Sequence, residues 1–314
     1  MKIFLITAIT CLIASSAAVH AGSNACAQPD VIGVQVLGSG GPIADDGRAS
    51  SGNLIWRDGK SIMLIDAGGG VFLRFGEAKA KIEDLDLIAI THFHTDHSAD
   101  LPALMKSGFF TDRTRNLPIS GPSGNRFFPG INDFLNAMFG KDTGAYRYLS
   151  GFLHLSRPLD GEAGSFSLQP VEVDTRKETA TQVFSDGDVR VSAVGVPHGP
   201  VPSVGYVIEI GTYKIVFSAD QTTLDTRLAK IAQDADLLVA NLAISQETTD
   251  AVAKRLHATP SQIADFATAI KAKKLVLSHL MARSIEPLDE SLKIIGKHYS
   301  GKVVVAEDLM CIPM

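Results

Sequence analysis

From residue 31 onward, short apolar runs alternate with glycine, proline and polar punctuation. Residues 31–37 form an apolar run cut off by Gly38-Ser39-Gly40-Gly41-Pro42, an emphatic turn signal. Residues 53–56 and 61–65 flank Arg57-Asp58-Gly59-Lys60, which predicts a hairpin closed by an Asp-Gly turn. Further strands are predicted at 87–90, 189–196, 204–210, 213–217, 237–240, 275–277 and 303–305. Gly211-Thr212 joins two of these as a second tight hairpin. Helices are interleaved. The best signalled opens at Thr259-Pro260-Ser261-Gln262, where Thr259 is an N-cap, Pro260 suits the first helical position and Gln262 completes a capping box. Ile263, Phe266, Ala267 and Ile270 then share one face. Residues 223–233 and 287–295 are also predicted helical. Between 108 and 184 the pattern loosens into aromatic pairs and glycines. That stretch reads as a loop-rich insertion near a substrate cleft, or as a satellite core under long loops.

Composition narrows this picture without changing it. The 314 residues are 45% hydrophobic and 20% charged, an ordinary soluble balance. The net charge of −5 and the lack of a dense basic run argue against a large polyanion-binding surface, so nucleic acid is an unexpected partner. No linker, repeat or low-complexity tract divides residues 28–314, which form a single predicted domain. The first 27 residues read instead as a signal peptide: Lys2, an apolar stretch from Ile3 to Ala18, then small residues with competing cleavage sites after Ala21 and Ala27. The expected location is periplasmic or secreted, with no membrane association once the signal is removed. Export makes a disulfide between Cys26 and Cys311 permissible, yet two unpaired thiols, or a single surviving one, are equally open. No Cys-x-x-Cys occurs, which disfavours a thiolate metal site.

The chemistry concentrates in Thr91-His92-Phe93-His94-Thr95-Asp96-His97. Three imidazoles and a carboxylate this close compete for solvation unless a cation binds them, and these are ligands that zinc, manganese and iron accept. Isolated histidines such as His154 and His298 carry no such signal. His92 directly follows the run 87–90, His198 follows 189–196, Asp220 follows 213–217, and His279 follows 275–277. Candidate ligands thus stand beyond the ends of four predicted strands, where α/β sheets bind theirs. Asp66 has the same placement after 61–65 and reads as a carboxylate that orients the His-rich loop, or as an ordinary turn aspartate.

These segments resemble the metallo-β-lactamase superfamily. His-x-His-x-Asp-His matches its signature, Leu64-Ile65-Asp66-Ala67-Gly68 its first motif, and Pro197-His198-Gly199, Ser218-Ala219-Asp220 and Leu277-Ser278-His279-Leu280 its later ones. The resemblance implies an α/β fold, a four-layer αββα sandwich. It also implies one metal on His92, His94 and His198, a second on Asp96, His97 and His279, and Asp220 bridging them. Two divalent ions, zinc first and manganese or iron(II) as alternatives, would share a hydroxide nucleophile. Asp96 and His257 are the candidate catalytic groups.

True β-lactamases lack the bridging aspartate. The opening Leu37 to Pro42 with Gly47-Arg48-Ala49-Ser50-Ser51, and Leu256-His257-Ala258-Thr259-Pro260-Ser261-Gln262, resemble the phosphodiesterase and arylsulfatase branch, with tRNA-processing nucleases more distant. In those nucleases the counterpart of His257 pairs with an acid in a His-Glu-Ala-Thr segment, where this chain reads Asn241-Leu242-Ala243-Ile244. The expected activity is therefore hydrolysis of a small ester, an aryl sulfate first. A phosphodiester, or a lactone or thioester, is the alternative, and a metal carrier or sensor the non-enzymatic one. A homodimer is compatible with the sequence. His257 is expected to act as general acid, its pKa lowered by the helix entrance beside it.

Overall fold

A computed structural model describes residues 25–153, 166–223 and 225–314. The expected signal segment up to Ala21 lies outside the described residues, as does His154; the alternative cleavage point after Ala27 lies within them.

The first sheet is built from β1 (Ile32–Gly38), β2 (Gly52–Arg57), β3 (Lys60–Ile65), β4 (Leu87–Ala89), β5 (Leu117–Pro122) and β6 (Leu168–Val173). The second takes β7 (Thr181–Asp186), β8 (Val189–His198), β9 (Val201–Ile210), β10 (Tyr213–Phe217), β11 (Leu237–Asn241), β12 (Lys274–Ser278) and β13 (Lys302–Val305). The chain then returns as β14 (Cys311–Pro313) to pair with β1. The orders are β14-β1-β2-β3-β4-β5-β6 and β13-β12-β11-β10-β9-β8-β7. Both sheets are mixed: the β1–β2–β3 meander and the β7–β8–β9–β10 meander are antiparallel, and the remaining interior pairs are parallel.

Side-chain alternation explains the layering. Val34, Ile55, Met63, Ile65 and Leu87 face Val191, Tyr206, Ile208, Ile215, Phe217 and Val239 across the space between the sheets. Their neighbours Leu54, Trp56, Leu64 and Ile88 point the other way, against α1 (Val71–Glu77), α3 (Leu101–Gly108) and α4 (Ile131–Phe139). Between α1 and α3 lies the one-turn helix α2 (Thr95–Ser98). On the far side, Val216, Leu238, Leu275 and Leu277 pack on Leu228, Ile263, Phe266 and Ile295. These belong to α5 (Arg227–Ile231), α7 (Pro260–Ala269) and α9 (Leu288–His298), with the short α6 (Ala251–Leu256) and α8 (Ala282–Ile285) nearer the sheet edge. Strands covered on both faces read as unbroken apolar runs. The result is the αββα sandwich that the resemblance implied.

The predicted strands are all present, and α7 carries its capping box on Thr259 and Gln262. Two expectations are corrected. The described residues of 108–184 are not a loop-rich insertion: they supply β5, β6, α4 and the start of β7. Their signals were masked because β6 and β7 are sheet edges, where Pro170 and a polar composition are tolerated. The helix expected over 223–233 is confined to α5, because Thr223 sits at positive φ and cannot continue a helix.

Candidate metal centre

Six polar side chains reach one edge of the sandwich from strand ends: Asp66 after β3, His92 after β4, His198 ending β8, Asp220 after β10, Asn241 ending β11 and His279 after β12. Three of these turns hold non-glycine residues in the left-handed region, Asp66 (φ 61°), Ala219 (φ 60°) and His279 (φ 58°). Such conformations cost roughly 1–3 kcal/mol each and persist where surrounding contacts over-determine them. Here backbone bonds do so: Asp66 N–H donates to Ala89 O at 2.9 Å, and Leu280 N–H to Ser39 O at 2.8 Å.

Every expected ligand converges. His92, His94, His198 and Asp220 form one group and Asp96, His97 and His279 a second, with ligand atoms inside each group within 4.8 Å of one another. Asp220 Oδ2 is the hub. It lies 3.9 Å from His92 Nε2, 3.8 Å from His97 Nε2, 3.7 Å from His198 Nε2 and 3.5 Å from His279 Nε2. One oxygen therefore faces both groups, the position of a bridge. Asp96 Oδ2 stands 3.1 Å from His279 Nε2 and 3.4 Å from His97 Nε2.

The surrounding bonds fix which ring nitrogens face inward. His198 Nδ1–H donates to Leu256 O at 2.7 Å. His97 Nδ1–H donates to Asp66 Oδ2 at 2.8 Å, and His92 Nδ1–H to Thr91 Oγ1 at 3.1 Å. Thr91 in turn donates through its amide and its hydroxyl to the two oxygens of Asp66, at 2.7 and 3.0 Å. With these tautomers, assigned from the bonding pattern, the Nε2 lone pairs of His92, His97 and His198 all point at the centre. His92 Nε2 then lies 3.0 Å from His94 Nδ1. His97 Nε2 and His198 Nε2 are buried without a hydrogen-bond partner, a cost in polar desolvation that metal coordination removes. The donor set fits two divalent ions.

Burial and the neighbouring charges shift Asp220 and His97 in opposite directions. Burial alone would raise the Asp220 carboxyl, but His279, His257, His97 and His198 around it hold it well below the usual carboxylate range. Burial pushes His92 well below the usual imidazole value. For His97, burial pulls the same way, but Asp96 and Asp66 override it and raise the ring well above that value.

His257 is buried, with its ring between those of His198 and His279, at centroid distances of 5.4 and 5.7 Å. Its Nδ1 lies 3.7 Å from Asp220 Oδ2 and has no hydrogen-bond partner. It thus borders both groups without belonging to either. Its pKa is lowered, as expected, to about 4, but the main cause is burial, with Asp220 opposing. His257 is the C-cap of α6, two residues before the Thr259 cap.

Sequence reasoning named Asn241 only as a departure from the nuclease pattern. Its Nδ2 donates to Asp220 Oδ1 at 2.7 Å and orients the bridging carboxylate. The available signal was its placement, the strand end shared by the ligands. Thr91 and Tyr206 were also missed. The Tyr206 hydroxyl donates to Ile90 O at 2.9 Å and pins the end of β4 from the opposite sheet. The Gly-rich opening is scaffold. Ser39 and Ala49 donate backbone N–H bonds to Asp308, and Gly41 packs so closely on the His279 ring that a Cβ would stand 2.8 Å from its Cε1.

A cavity of about 570 Å³ opens beside His94. Its walls are Phe128, Pro200, Val201, Val252 and Leu256, with Arg255 at one side. A second cleft, of about 520 Å³, lies on the other side of the same Gly199–Val201 loop and carries Arg126 and Arg176.

The chain matches, over residues 32–291, the protein family described as "Anti-Pycsar protein Apyc1". It is 28% identical to ribonuclease Z of Methanosarcina acetivorans over 301 residues, covering 88% of this chain and 96% of that protein. It is 30% identical to ribonuclease Z of Mycobacterium sp. (strain KMS) over 265 residues, covering 80% of this chain and 85% of that protein. Among solved structures it superposes on the metallo-β-lactamase fold protein YhfI of Bacillus subtilis with a TM-score of 0.68 at 20% identity, covering 91% of this chain and all of that one. The ribonuclease Z relatives overturn the expectation that nucleic acid is unlikely as a partner. That expectation rested on net charge, a sum over the whole chain. It is blind to where Arg126, Arg176 and Arg255 stand beside the site.

Proposed function

This chain belongs to the metallo-β-lactamase superfamily, in the anti-Pycsar protein Apyc1 family, and on that footing we propose that its seven-ligand centre hydrolyses a phosphodiester, with two zinc ions as cofactor. The observation that carries this is Asp220 Oδ2, which stands 3.5–3.9 Å from imidazole nitrogens of both ligand groups. Two divalent ions held by His92, His94 and His198, by Asp96, His97 and His279, and by Asp220 would supply a nucleophile at neutral pH and offset charge on phosphoryl oxygens.

The chain's own residues do the rest. Asp66 and Thr91 hold the His97 and His92 rings, and Asn241 holds Asp220. His257, buried against the bridging carboxylate, is the group placed to pass a proton to the departing oxygen. An aryl sulfate presents a similar tetrahedral centre, but the ribonuclease Z relatives favour the phosphodiester. Export is part of the same reading: the structure joins Cys26 to Cys311 by a disulfide, a bond that persists in oxidising compartments.

The test is to load the purified protein with zinc and assay bis(p-nitrophenyl) phosphate beside p-nitrophenyl sulfate. Turnover of the phosphodiester with two metals per chain is expected. Asp220→Ala should lose both metals and more than ~10²-fold in rate, because even removing a group that only orients a ligand costs 10–100-fold. Sulfate turnover without phosphodiester turnover, or a single metal per chain, would refute the proposal.

A further inference from the structure

Asn53 lies in β2 opposite Ile65 of β3. It is two residues from Ile55 along the strand, so its side chain shares the face that packs toward the second sheet. Among Ile55, Met63 and Ile65 it is a polar exception. It is buried, and its Oδ1 has no hydrogen-bond partner within the protein. A buried amide oxygen left so costs roughly 1–3 kcal/mol, and a partner removes that cost.

Beside Asn53, between the two sheets and on the inner side of the metal centre, is a cavity of about 10 Å³. Ile65 from the first sheet and Phe217 and Val239 from the second form its apolar walls. Its polar walls are Asn53, Asp66, Thr91, Asn241, Ser51 and Ser278. A space of this size takes one water and no larger ligand, and a water there meets the two to four polar partners it needs. Two of the lining groups are the ones that hold metal ligands. Asp66 accepts from His97 Nδ1 at 2.8 Å, and Asn241 donates to Asp220 Oδ1 at 2.7 Å. They come from opposite sheets, since Asp66 follows β3 and Asn241 ends β11.

We propose that this cavity seats one ordered water that ties Asn53 to Asp66 and Asn241, and that Asn53 is a positioning residue for both ligand groups. The water donates one hydrogen to Asn53 Oδ1 and the other to the Asp66 carboxylate. It accepts the Asn241 Nδ2 hydrogen that is not used on Asp220. Such bridged contacts are nearly as good enthalpically as direct ones. The support of His97 and the support of Asp220 then share one joint between the sheets, and Asn53 fixes that joint from β2. The inference rests on the two-metal reading and is independent of which ester is cleaved.

Two variants test it. Asn53→Leu keeps the side chain's size and removes both polar atoms, so it should expel the water. Asn53→Ser leaves a hydroxyl and room for a second water. The measurements are a crystal structure of the zinc-loaded protein, a zinc titration against a chelator, and a thermal melt of the metal-free protein. The parent should show density for one water within hydrogen-bond distance of Asn53, Asp66 and Asn241. Asn53→Leu should lack that density and bind zinc roughly tenfold more weakly, the lower end of the effect expected when the support of a ligand is disturbed. Its metal-free melt should not fall, and Asn53→Ser should recover most of the zinc affinity. No density in the parent's cavity, at a resolution that shows other buried waters, would overturn the proposal. So would an Asn53→Leu variant with the parent's zinc affinity, a loss that Asn53→Ser shares in full, or a loss matched by a fall in the metal-free melt, which would make Asn53 a packing residue. Zinc binding by the parent reports on the metal centre, and the difference between parent and variants reports on the water, so the two can fail separately.

Discussion

Four ligands in this centre are fixed by a second residue: His92 by Thr91, His97 by Asp66, His198 by Leu256 and Asp220 by Asn241. Asp66 is the clearest case, because its two oxygens take three bonds, from Thr91 N–H, Thr91 Oγ1 and His97 Nδ1. An Asp66→Asn change keeps the size but replaces one acceptor oxygen with a donor, which then faces an N–H or the Thr91 hydroxyl. The expected outcome is a metal affinity lowered roughly 10–100-fold, the usual effect of removing the partner of a ligating histidine. The loss should fall on the ion shared by Asp96, His97 and His279. Competition titration against a chelator measures it, and a normal affinity for both ions would make Asp66 an ordinary turn residue. The sequence separated these possibilities poorly, because an aspartate after a strand serves both roles and only the bond to His97 distinguishes them.

At the scale of elements, legibility followed burial. Strands covered on both faces, such as β3 with Ser61 to Ile65 buried, announced themselves as apolar runs. Edge strands did not: β7 reads Thr-Gln-Val-Phe-Ser-Asp, and β6 carries Pro170. The seven ligands were legible because His92, His94, Asp96 and His97 cluster in one short segment and His198, Asp220 and His279 share with His92 a strand-end position. Asn241 shares it too but has a side chain with no metal preference, so its bond to Asp220 appears only in three dimensions. The α6–α7 junction tests the remaining element-level claim. Leu256 O accepts from His198, and the next residue, His257, points its ring at Asp220. Removing that ring leaves both ligand groups intact, so His257→Ala should retain its metals. It should lower kcat by roughly 10²–10⁴-fold, the range for general acid–base catalysis. The loss should be largest for esters with poor leaving groups and small for nitrophenyl esters, whose anion departs without a proton. An equal loss across leaving groups would assign His257 to substrate positioning instead.

At the scale of the whole molecule, the two ends of the described chain are one structural unit. Cys26 is fully buried in a single 3-10 turn, Ala25–Ala27, and its disulfide reaches Cys311 in β14, the strand that completes the first sheet beside β1. A link across 285 residues restricts the unfolded chain strongly, by about 5 kcal/mol in the chain-entropy account, and measured gains are often smaller. That packing bears on the two cleavage sites. Cutting after Ala27 would discard a buried half-cystine, expose the face of β14 it covers and strand Cys311. Cutting after Ala21 keeps the bridge. The mature protein should therefore begin at Gly22, carry one disulfide by intact mass before and after reduction, and melt several degrees lower once reduced. A mature N-terminus at Gln28 would exclude the bridge, and an intact Met1 in the soluble protein would overturn export. If Gly22 is found with both thiols free, the bridge fails while the cleavage assignment stands, because burial of Cys26 alone favours retaining residues 22–27.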